Sequence, residues 1–522
     1  MIYVILGQTA SGKTSLSLSL ARKLNLPIIS ADAYQCYRMM QIGTDKPTRE
    51  ETEGLSYYFY DEYEPDSEVD VSLFQKTMRP ILENYLNQGK DVIVVGGTFL
   101  YIKALLFNYV FTEKENRESI YRTMGLEELQ AELSRQNPKI YNEIDNKNPR
   151  RLIRALEQIQ EGKDRDKILE ENDNRPLYPV TFLRIDIDKE EGNRKIDDRI
   201  EKMFNEGIVD EVRRLMEKYP LTSHSLQAIG YKEIIQCLQE GKNEEEMKEL
   251  IKIHTHQYAK KQRTFLNHQF ENVYHSNKED IAKLIEYDIL RKVRTRAILK
   301  PEVTNAIEKA SVYFIGLGGV GSGALLPLVR LGIHDFTIQD GDTVDVSNLN
   351  RQSLYEYKDI QKSKTEISEK RIKELNPLVT VCQIDKRIED YTDMPTSTFD
   401  YIIDCIDDVD AKCMLYEKAK KDHSIYLTSM GMGFHYDTTK IRLGTLKEAF
   451  DPLSKSFRKA LLEHGHPEEE IDRILCVYAS DQRLKGKKDS KLIGSLSNVP
   501  NAAGLALVTY LIKLIMEEKK EH

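Results

Sequence analysis

The chain has 522 residues, a formal net charge of −9, six cysteines and no tryptophan. With 40% hydrophobic and 31% charged residues it has the composition of an ordinary soluble protein, long enough for about three domains of about 150 residues. The acidic balance excludes attraction of nucleic acid by the whole surface, so any such contact needs a local basic patch.

The cysteines, Cys36, Cys237, Cys382, Cys405, Cys413 and Cys476, form no C-x-x-C pair. Their scatter argues against structural zinc and fits a reducing cytosol, hence a cytoplasmic protein. The first residues are apolar without a basic flank, so no signal peptide is expected. The longest apolar stretch, 502–516, is cut by Lys513 and too short for a bilayer. It predicts a core helix, and no membrane partner is expected.

Residues 2–6 predict a short buried strand and 15–24 the helix that follows. Between them Gly7-Gln8-Thr9-Ala10-Ser11-Gly12-Lys13-Thr14 fits G-x-x-x-x-G-K-[ST]. The glycines let several backbone N–H groups aim at one phosphate, and the helix N-terminus adds about half a positive charge. Lys13 supplies a full charge, and Thr14 is placed to hold magnesium. The bland alternative is a glycine-rich turn with a solvated lysine.

A second strand, 28–32, ends in Asp32, and a third, 91–95, runs into Gly96-Gly97-Thr98. Open α/β sheets keep their ligands at such strand ends. Lys13, Asp32 and Thr98 should therefore meet at one edge. By the residues alone Asp32 is a magnesium ligand, a general base or a helix cap.

The run of blocks G-Q-T-A-S-G-K-T, I-S-A-D-A-Y-Q-C-Y, I-G-T-D-K-P and G-G-T-F-L-Y-I-K-A-L-L resembles tRNA dimethylallyltransferases in order and spacing. So do Asn148 to Glu157, Leu226 to Glu233 and Gln257 to Gln262, and the resemblance covers residues 1 to 275. It implies transfer of a dimethylallyl group from dimethylallyl diphosphate to N6 of the adenosine 3′ of the anticodon. The loop Gly7 to Thr14 would then hold diphosphate rather than ATP. Asp32 would accept the N6 proton, with Thr98 touching the target nucleotide. Asp32, Ala33, Tyr34, Gln35, Thr98 and Arg117 would contact the tRNA anticodon stem-loop. A flipped-out base and exclusion of water are expected.

Several positions depart from the family pattern: Ala33 for serine, Asp45 for alanine, Phe99 for glycine, Lys261 for arginine and Phe265 for tryptophan. Phe99, beside Gly97-Thr98, is expected to narrow the pocket. A helical insertion is expected over 108–178. In the helix 243–270, Met247, Ile251, His254, Tyr258 and Phe265 read as core. Lys252, His256, Lys260 and Arg263 form a stripe that suits either phosphate-backbone contact or plain solvation; the resemblance favours tRNA contact by Lys260 and Arg263. Residues 281–300 read as a packed connector, ending a first domain at 1–280.

The second half, 301–522, opens on a strand at 311–315 and Gly316-Leu317-Gly318-Gly319-Val320-Gly321, a G-x-G-x-x-G loop. Asp340 follows the next strand at the spacing of a ribose acceptor. A ligand-free turn fits the loop alone. Asp340-Gly341-Asp342, Asn348-Leu349-Asn350-Arg351-Gln352, Lys364 and Asp404-Cys405-Ile406-Asp407 resemble the adenylation domain of ubiquitin-activating-like enzymes. Within that superfamily Ser429-Met430-Gly431-Met432-Gly433, Asp437, Asp451-Pro452-Leu453 and Val477-Tyr478-Ala479-Ser480 are similar to the tRNA threonylcarbamoyladenosine dehydratase group. The resemblance implies ATP held by Gly316, Gly318, Gly319, Gly321, Asp340, Asn348, Arg351, Gln352 and Lys364, with magnesium on Asp407. Arg351 and Lys364 would be catalytic, and Arg294 would reach a partner's ATP in a homodimer formed through this domain. Zinc-binding cysteine pairs of the protein-activating branch are absent.

The expected fold is α/β: a P-loop NTPase-like parallel sheet with an inserted helical domain, then a Rossmann-like adenylation domain. The expected function is a bifunctional tRNA-modifying enzyme using Mg2+, dimethylallyl diphosphate and ATP. The two reactions would serve different tRNAs, with shared docking or simple co-expression explaining the fusion. The alternatives are activation of a sulfur-carrier or ubiquitin-like protein by the second half, a non-catalytic tRNA-binding module, and a small-molecule kinase in the first half.

Overall fold

Two parallel sheets organise the chain. The computed structural model describes residues 1–109, 120–160, 175–484 and 493–520. Arg117 lies outside the described residues.

The first sheet contains β1 (Ile2–Leu6), β2 (Ile28–Ser30), β3 (Tyr57–Tyr58), β4 (Val92–Val95), β5 (Val180–Ile185) and β6 (Tyr274–Ser276). Their order is β3-β2-β4-β1-β5-β6, and every pair is parallel. A parallel sheet is covered on both faces, so its strands are continuous apolar runs rather than alternating ones. Accordingly β1 (IYVIL) and β4 (VIVV) are buried throughout.

Helices α1 (Lys13–Leu24), α2 (Val71–Asn87) and α3 (Phe99–Leu106) cover the sheet. An insertion follows, with α4 (Leu126–Gln136), α5 (Pro138–Glu143) and α6 (Pro149–Gln160) closing on a small core of Leu129, Leu133, Ile140, Leu152 and Leu156. Asn137 ends α4 and caps α5, its Oδ1 accepting from the Ile140 N–H at 3.0 Å, with Pro138 at the first helical position. Then come α7 (Lys189–Asn205), α8 (Ile208–Lys218), α9 (Tyr231–Glu240) and the 26-residue α10 (Glu244–Gln269). A reciprocal cap between Asn243 and Glu246 starts α10.

Helices α11 (Lys278–Arg296) and α12 (Pro301–Lys309) join the halves. Ile281 and Ile285 of α11 pack with β1 and β5 residues. Further along, Asp288 and Lys292 are 0% and 1% exposed, so their charges must be matched inside. Lys292 donates to Asp288 at 2.8 Å, as does the Tyr3 hydroxyl, and the Asn376 amide donates at 3.2 Å. Arg296 bridges Asp91 of the first half (2.6 Å) and Glu308 of the second (2.8 Å). Burial alone would raise the Asp288 carboxyl, but Lys292, His334 and Arg291 hold it well below its usual range. Burial pushes His334 down to about 4, so the imidazole is neutral there at pH 7.

The second sheet contains β7 (Ser311–Ile315), β8 (Asp335–Gln339), β9 (Thr380–Ile384), β10 (Tyr401–Asp404), β11 (Ile425–Ser429), β12 (Ile441–Thr445) and β13 (Leu475–Ala479). Its order is β12-β13-β11-β10-β7-β8-β9, parallel except for the β12–β13 edge. The chain winds one way from β7 to β9 and the other way from β10, so β7 and β10 flank a switch point. Helices α13 (Gly319–Leu331), α14 (Lys364–Leu375), α15 (Val409–Asp422), α16 (Pro452–Glu463) and α17 (Asn498–Glu518) complete this half.

Helix α17 extends beyond 502–516 at both ends. Among the described residues it is the one helix long and apolar enough to cross a membrane by length and composition. Its stripe of Ala503, Leu507, Leu511 and Ile515 is buried in the core of the second half. A Cβ at Gly504 would lie 2.3 Å from the Val320 carbonyl, so α13 and α17 meet backbone to backbone.

Candidate functional site

In the first half, the turns after β1, β2 and β4 open into one cavity of about 760 Å³. A Cβ at Gly96 would sit 2.2 Å from the Ala31 carbonyl, so only glycine lets the ends of β2 and β4 close together. That approach places Asp32 and Thr98 side by side. The Ala33 N–H donates to Thr98 Oγ1 at 3.0 Å, and the Tyr34 N–H to Asp32 Oδ1 at 3.0 Å. One Asp32 oxygen thus caps its own turn while the carboxylate lines the cavity.

Lys13 lies in the same cavity and donates to the Gln8 carbonyl at 2.6 Å. Burial, opposed by Asp32, lowers its ammonium from 10.5 to about 8. Gln8 Nε2 and Ser11 Oγ are buried in the loop with no partner among the described residues. Buried polar groups normally find partners; Ser11 lines the cavity, where a phosphate oxygen would supply one, whereas Gln8 Nε2 lies against Gly192 of α7. Thr14, Asp32 and Asp45 line this cavity with oxygen atoms of the kind magnesium takes, although among the described residues no three carboxylate, histidine or cysteine side chains converge on one metal position.

Helices α7 and α10 wall the cavity. Arg199 donates to Thr9 Oγ1 at 2.9 Å and lies 3.5 Å from Asp45. Gln262 accepts from the Thr9 N–H at 2.8 Å and donates to the Gly97 carbonyl at 3.1 Å. Tyr258 donates to that carbonyl at 3.1 Å. Tyr258, read as core from its helical spacing, instead faces the cavity.

In the second half, the loop 316–321 and the end of β10 lie against each other across the switch point. A Cβ at Gly316 would meet the Cys405 carbonyl carbon at 2.7 Å. Asp340 follows β8 and accepts from the Leu317 N–H at 2.7 Å and the Asp342 N–H at 2.9 Å. Burial pushes its carboxyl up, against the pull of Lys364. Lys364, 4% exposed at the start of α14, pairs with Asp342 at 2.9 Å and Asp340 at 3.7 Å. Arg351 packs beside Gly319, and Gln352 beside Gly318. The Gln352 Oε1 and Ser322 Oγ are buried without partners among the described residues, as at the first loop. Asn348 Oδ1 accepts from the Asp345 N–H at 3.1 Å. Asp407 is exposed just after β10, next to Asp408, whose carboxylate caps α15 by accepting from the Ala411 N–H at 2.9 Å. Arg294 is exposed on α11, two residues after Lys292, which lies beside Gly332 at the end of α13 away from the loop.

Two family models match the sequence: IPP transferase over residues 35–269 and the ThiF family over 290–522. A tRNA dimethylallyltransferase from Acetivibrio thermocellus is 36% identical over 289 residues, covering 53% of this chain and 92% of that protein. The chain belongs to the tRNA dimethylallyltransferase family. A solved structure of a eukaryotic dimethylallyltransferase acting on tRNA matches with 25% identity and a TM-score of 0.50, covering 55% of this chain and 79% of that one. The E. coli tRNA N6-threonylcarbamoyladenosine dehydratase in complex with AMP matches with 26% identity and a TM-score of 0.42, over 45% of this chain and 96% of that one.

Three of the five departures from the dimethylallyltransferase pattern, Asp45, Phe99 and Phe265, have local contacts that account for them; nothing in the structure explains Ala33 or Lys261. Phe99 does not line the cavity, contrary to the expectation that it narrows it; it is 5% exposed and stacks on Phe265. Asp45 does line the cavity and offsets Arg199. In the basic stripe, Lys252 pairs with Glu201, His256 with Asp197, and Arg263 donates to Gln8 at 2.5 Å. Lys260 is exposed on the outer face of α10, beside Phe265 and His268. Arg199 and Gln262 were not singled out by the sequence. Gln262 lies in the Gln257 to Gln262 block, whereas Arg199 sits in an ordinary charged helix with no motif around it.

Proposed function

We propose that this dimethylallyltransferase-family chain is a bifunctional tRNA-modifying enzyme. Its first half transfers a dimethylallyl group from dimethylallyl diphosphate to N6 of the adenosine 3′ of the anticodon. Its ThiF-matched half adenylates the carboxylate of threonylcarbamoyladenosine at that position and closes it to a ring. The observation that carries the reading is the single cavity shared by Lys13, Asp32 and Thr98.

In the first reaction the N6 lone pair attacks C1 of the dimethylallyl group. The new C–N bond forms as the C–O bond to diphosphate breaks. The proton leaves N6 for the Asp32 carboxylate. Negative charge gathers on the departing diphosphate, where Lys13 and the loop N–H groups stabilise it. Magnesium held by Thr14 would neutralise more of that charge. Thr98, whose hydroxyl already accepts from the Ala33 N–H, fixes the Asp32 turn against the target nucleotide. Asp32 to Gln35, Lys260 and Arg263 complete the tRNA contacts.

In the second reaction the threonyl carboxylate attacks the α-phosphate of ATP and pyrophosphate leaves. Attack on the resulting acyl adenylate from within the same side chain closes the ring and releases AMP. Asp340 holds the ribose, while Arg351 and Lys364 face the phosphates after Lys364 leaves Asp342. Asp407 is the carboxylate for magnesium. Arg294 follows Lys292 near the end of α13 opposite its own loop and would act on a second copy in a homodimer.

Two assays test the reading. Nucleoside mass spectrometry of tRNA from cells with and without the gene should show loss of the prenylated and the cyclised adenosine. Pyrophosphate exchange should be stimulated by threonylcarbamoylated tRNA. Stimulation by a protein ending in Gly-Gly, and not by tRNA, would instead assign the second half to protein activation.

A further inference from the structure

The two halves meet through the same edge of their sheets. Asp91 and Tyr3 lie at the N-terminal ends of β4 and β1. They bond to Arg296 and Asp288 of α11, which also hold Glu308, Asn376 and His334, residues that adjoin the N-terminal ends of β7, β9 and β8. Arg175, just before β5, pairs with Asp400, just before β10, and donates to Ser311 at 2.7 Å. The Asn305 amide donates to the Leu86 carbonyl at the end of α2 (2.9 Å), and Leu378 enters the core of the first half. No contact in this set involves a C-terminal strand end.

Both sites, however, are built at C-terminal strand ends. The phosphate loop, Asp32 and Thr98 follow β1, β2 and β4; the loop 316–321, Asp340 and Asp407 follow β7, β8 and β10. The sites therefore face away from each other. Helix α11 measures the span on one side: Lys278 donates to Ser15 next to the phosphate loop at 2.8 Å, and 19 residues span about 27 Å before Arg296 reaches the junction. The five residues of β7 add roughly 16 Å on the other side. The junction is not a hinge, because Asp288, Lys292 and Glu308 are buried and mutually paired.

We infer that one chain holds two tRNA anticodon loops at once, at opposite ends, and that no tRNA passes between the sites without being released. This rests on the bifunctional reading above and removes shared docking as the reason for the fusion. Each reaction must draw its own tRNA from solution. A tRNA carrying threonylcarbamoyl is delivered by a separate enzyme that installs that group, and not by the prenylating site.

The test uses the full chain, an unmodified stem-loop that is prenylated, and a threonylcarbamoylated stem-loop supplied with a non-hydrolysable ATP analogue. Native mass spectrometry should show one chain carrying both RNAs, counted per protomer. The KM for the unmodified stem-loop should move less than about twofold when the second is saturating. Mutually exclusive binding, with KM rising in proportion to the second RNA, would overturn the inference and leave the bifunctional reading standing. Failure of the threonylcarbamoylated RNA to bind at all would overturn both, through the second half's assignment.

Discussion

The rings of Phe99 and Phe265 stack 5.6 Å apart with their planes at 24°. These are two of the positions at which the chain departs from the family pattern, and the contact makes them one event. In this chain the ring at 99 fills the space beside the ring at 265. Phe99→Gly should therefore cost about 3–5 kcal/mol, the usual penalty for emptying an aromatic site. Adding Phe265→Trp should recover part of it. Urea midpoints of the wild type, both single variants and the double variant check this. Additive losses would mean that the two positions are independent.

The buried ammonium of Lys13 sets a pH limit on diphosphate binding. Its value in the free protein is lowered from 10.5 to about 8, with burial the main cause. As pH rises above 8 the site loses its charge, and diphosphate affinity should fall by up to about tenfold per unit. The effect on folding has the opposite sign. Between pH 8 and 10.5 the unfolded chain holds more protons than the folded one, so this group's contribution to stability rises with pH. Calorimetric titration with inorganic diphosphate from pH 6.5 to 9.5 should show the fall. Lys13→Ala should bind weakly at every pH, and a persistent slope in that variant would assign the titration elsewhere.

Asp32 and Tyr258 flank Gly97 and should separate by kinetics. Asp32→Asn removes the proton acceptor but keeps a side-chain oxygen for the Tyr34 N–H. It should lower kcat by about 10²–10⁴-fold with little change in KM for tRNA. Tyr258→Phe loses only the bond to the Gly97 carbonyl and should change kcat much less. Single-turnover prenylation of a stem-loop measures both. Equal effects would mean that Asp32 only positions the turn.

The strand–loop–helix units were legible because each is local: an apolar run, a glycine loop and a helix start lie within about 20 residues. The inserted helices α5 and α6 start at Pro138 and Pro149, where proline at the first helical position marks a boundary that the sequence carries locally. Residues acting across long sequence separations were not. Tyr258 kept helical spacing with Met247 and Ile251, yet the buried stripe of α10 runs on through Ala259 and Leu266, and Tyr258 beside it reaches the Gly97 carbonyl at the cavity. Arg199 has no local mark, because its role comes from α7 packing against the loop. The paired states of Lys252 and His256 were equally hidden: Glu201 and Asp197 lie on another helix. The orientation of the two halves draws on a buried charge cluster whose members span Tyr3 to Asn376, together with contacts such as Arg175–Asp400.

That cluster gives the last prediction. Lys292 faces Asp288 at 2.8 Å and Glu308 at 3.4 Å, and all three side chains are almost wholly buried. Lys292→Met leaves two carboxylates short of a cation and should cost about 3–5 kcal/mol. Replacing Asp288 by Asn in the same chain should recover much of that, because the isolated charge is removed while hydrogen bonding to Tyr3 remains. The pH dependence follows from the carboxylates. Asp288 and Glu308 are both held below their ordinary range in the folded chain, in spite of burial, chiefly by Lys292. Their contribution is complete above about pH 4.3, the unfolded values, and is lost as pH falls through the folded ones. Chemical denaturation at pH 7 and pH 4 should therefore show the wild type losing stability at the lower pH. Lys292→Met should lose less over the same interval, since its carboxyls no longer sit so low. An equal loss in both proteins would assign the acid sensitivity to other carboxylates.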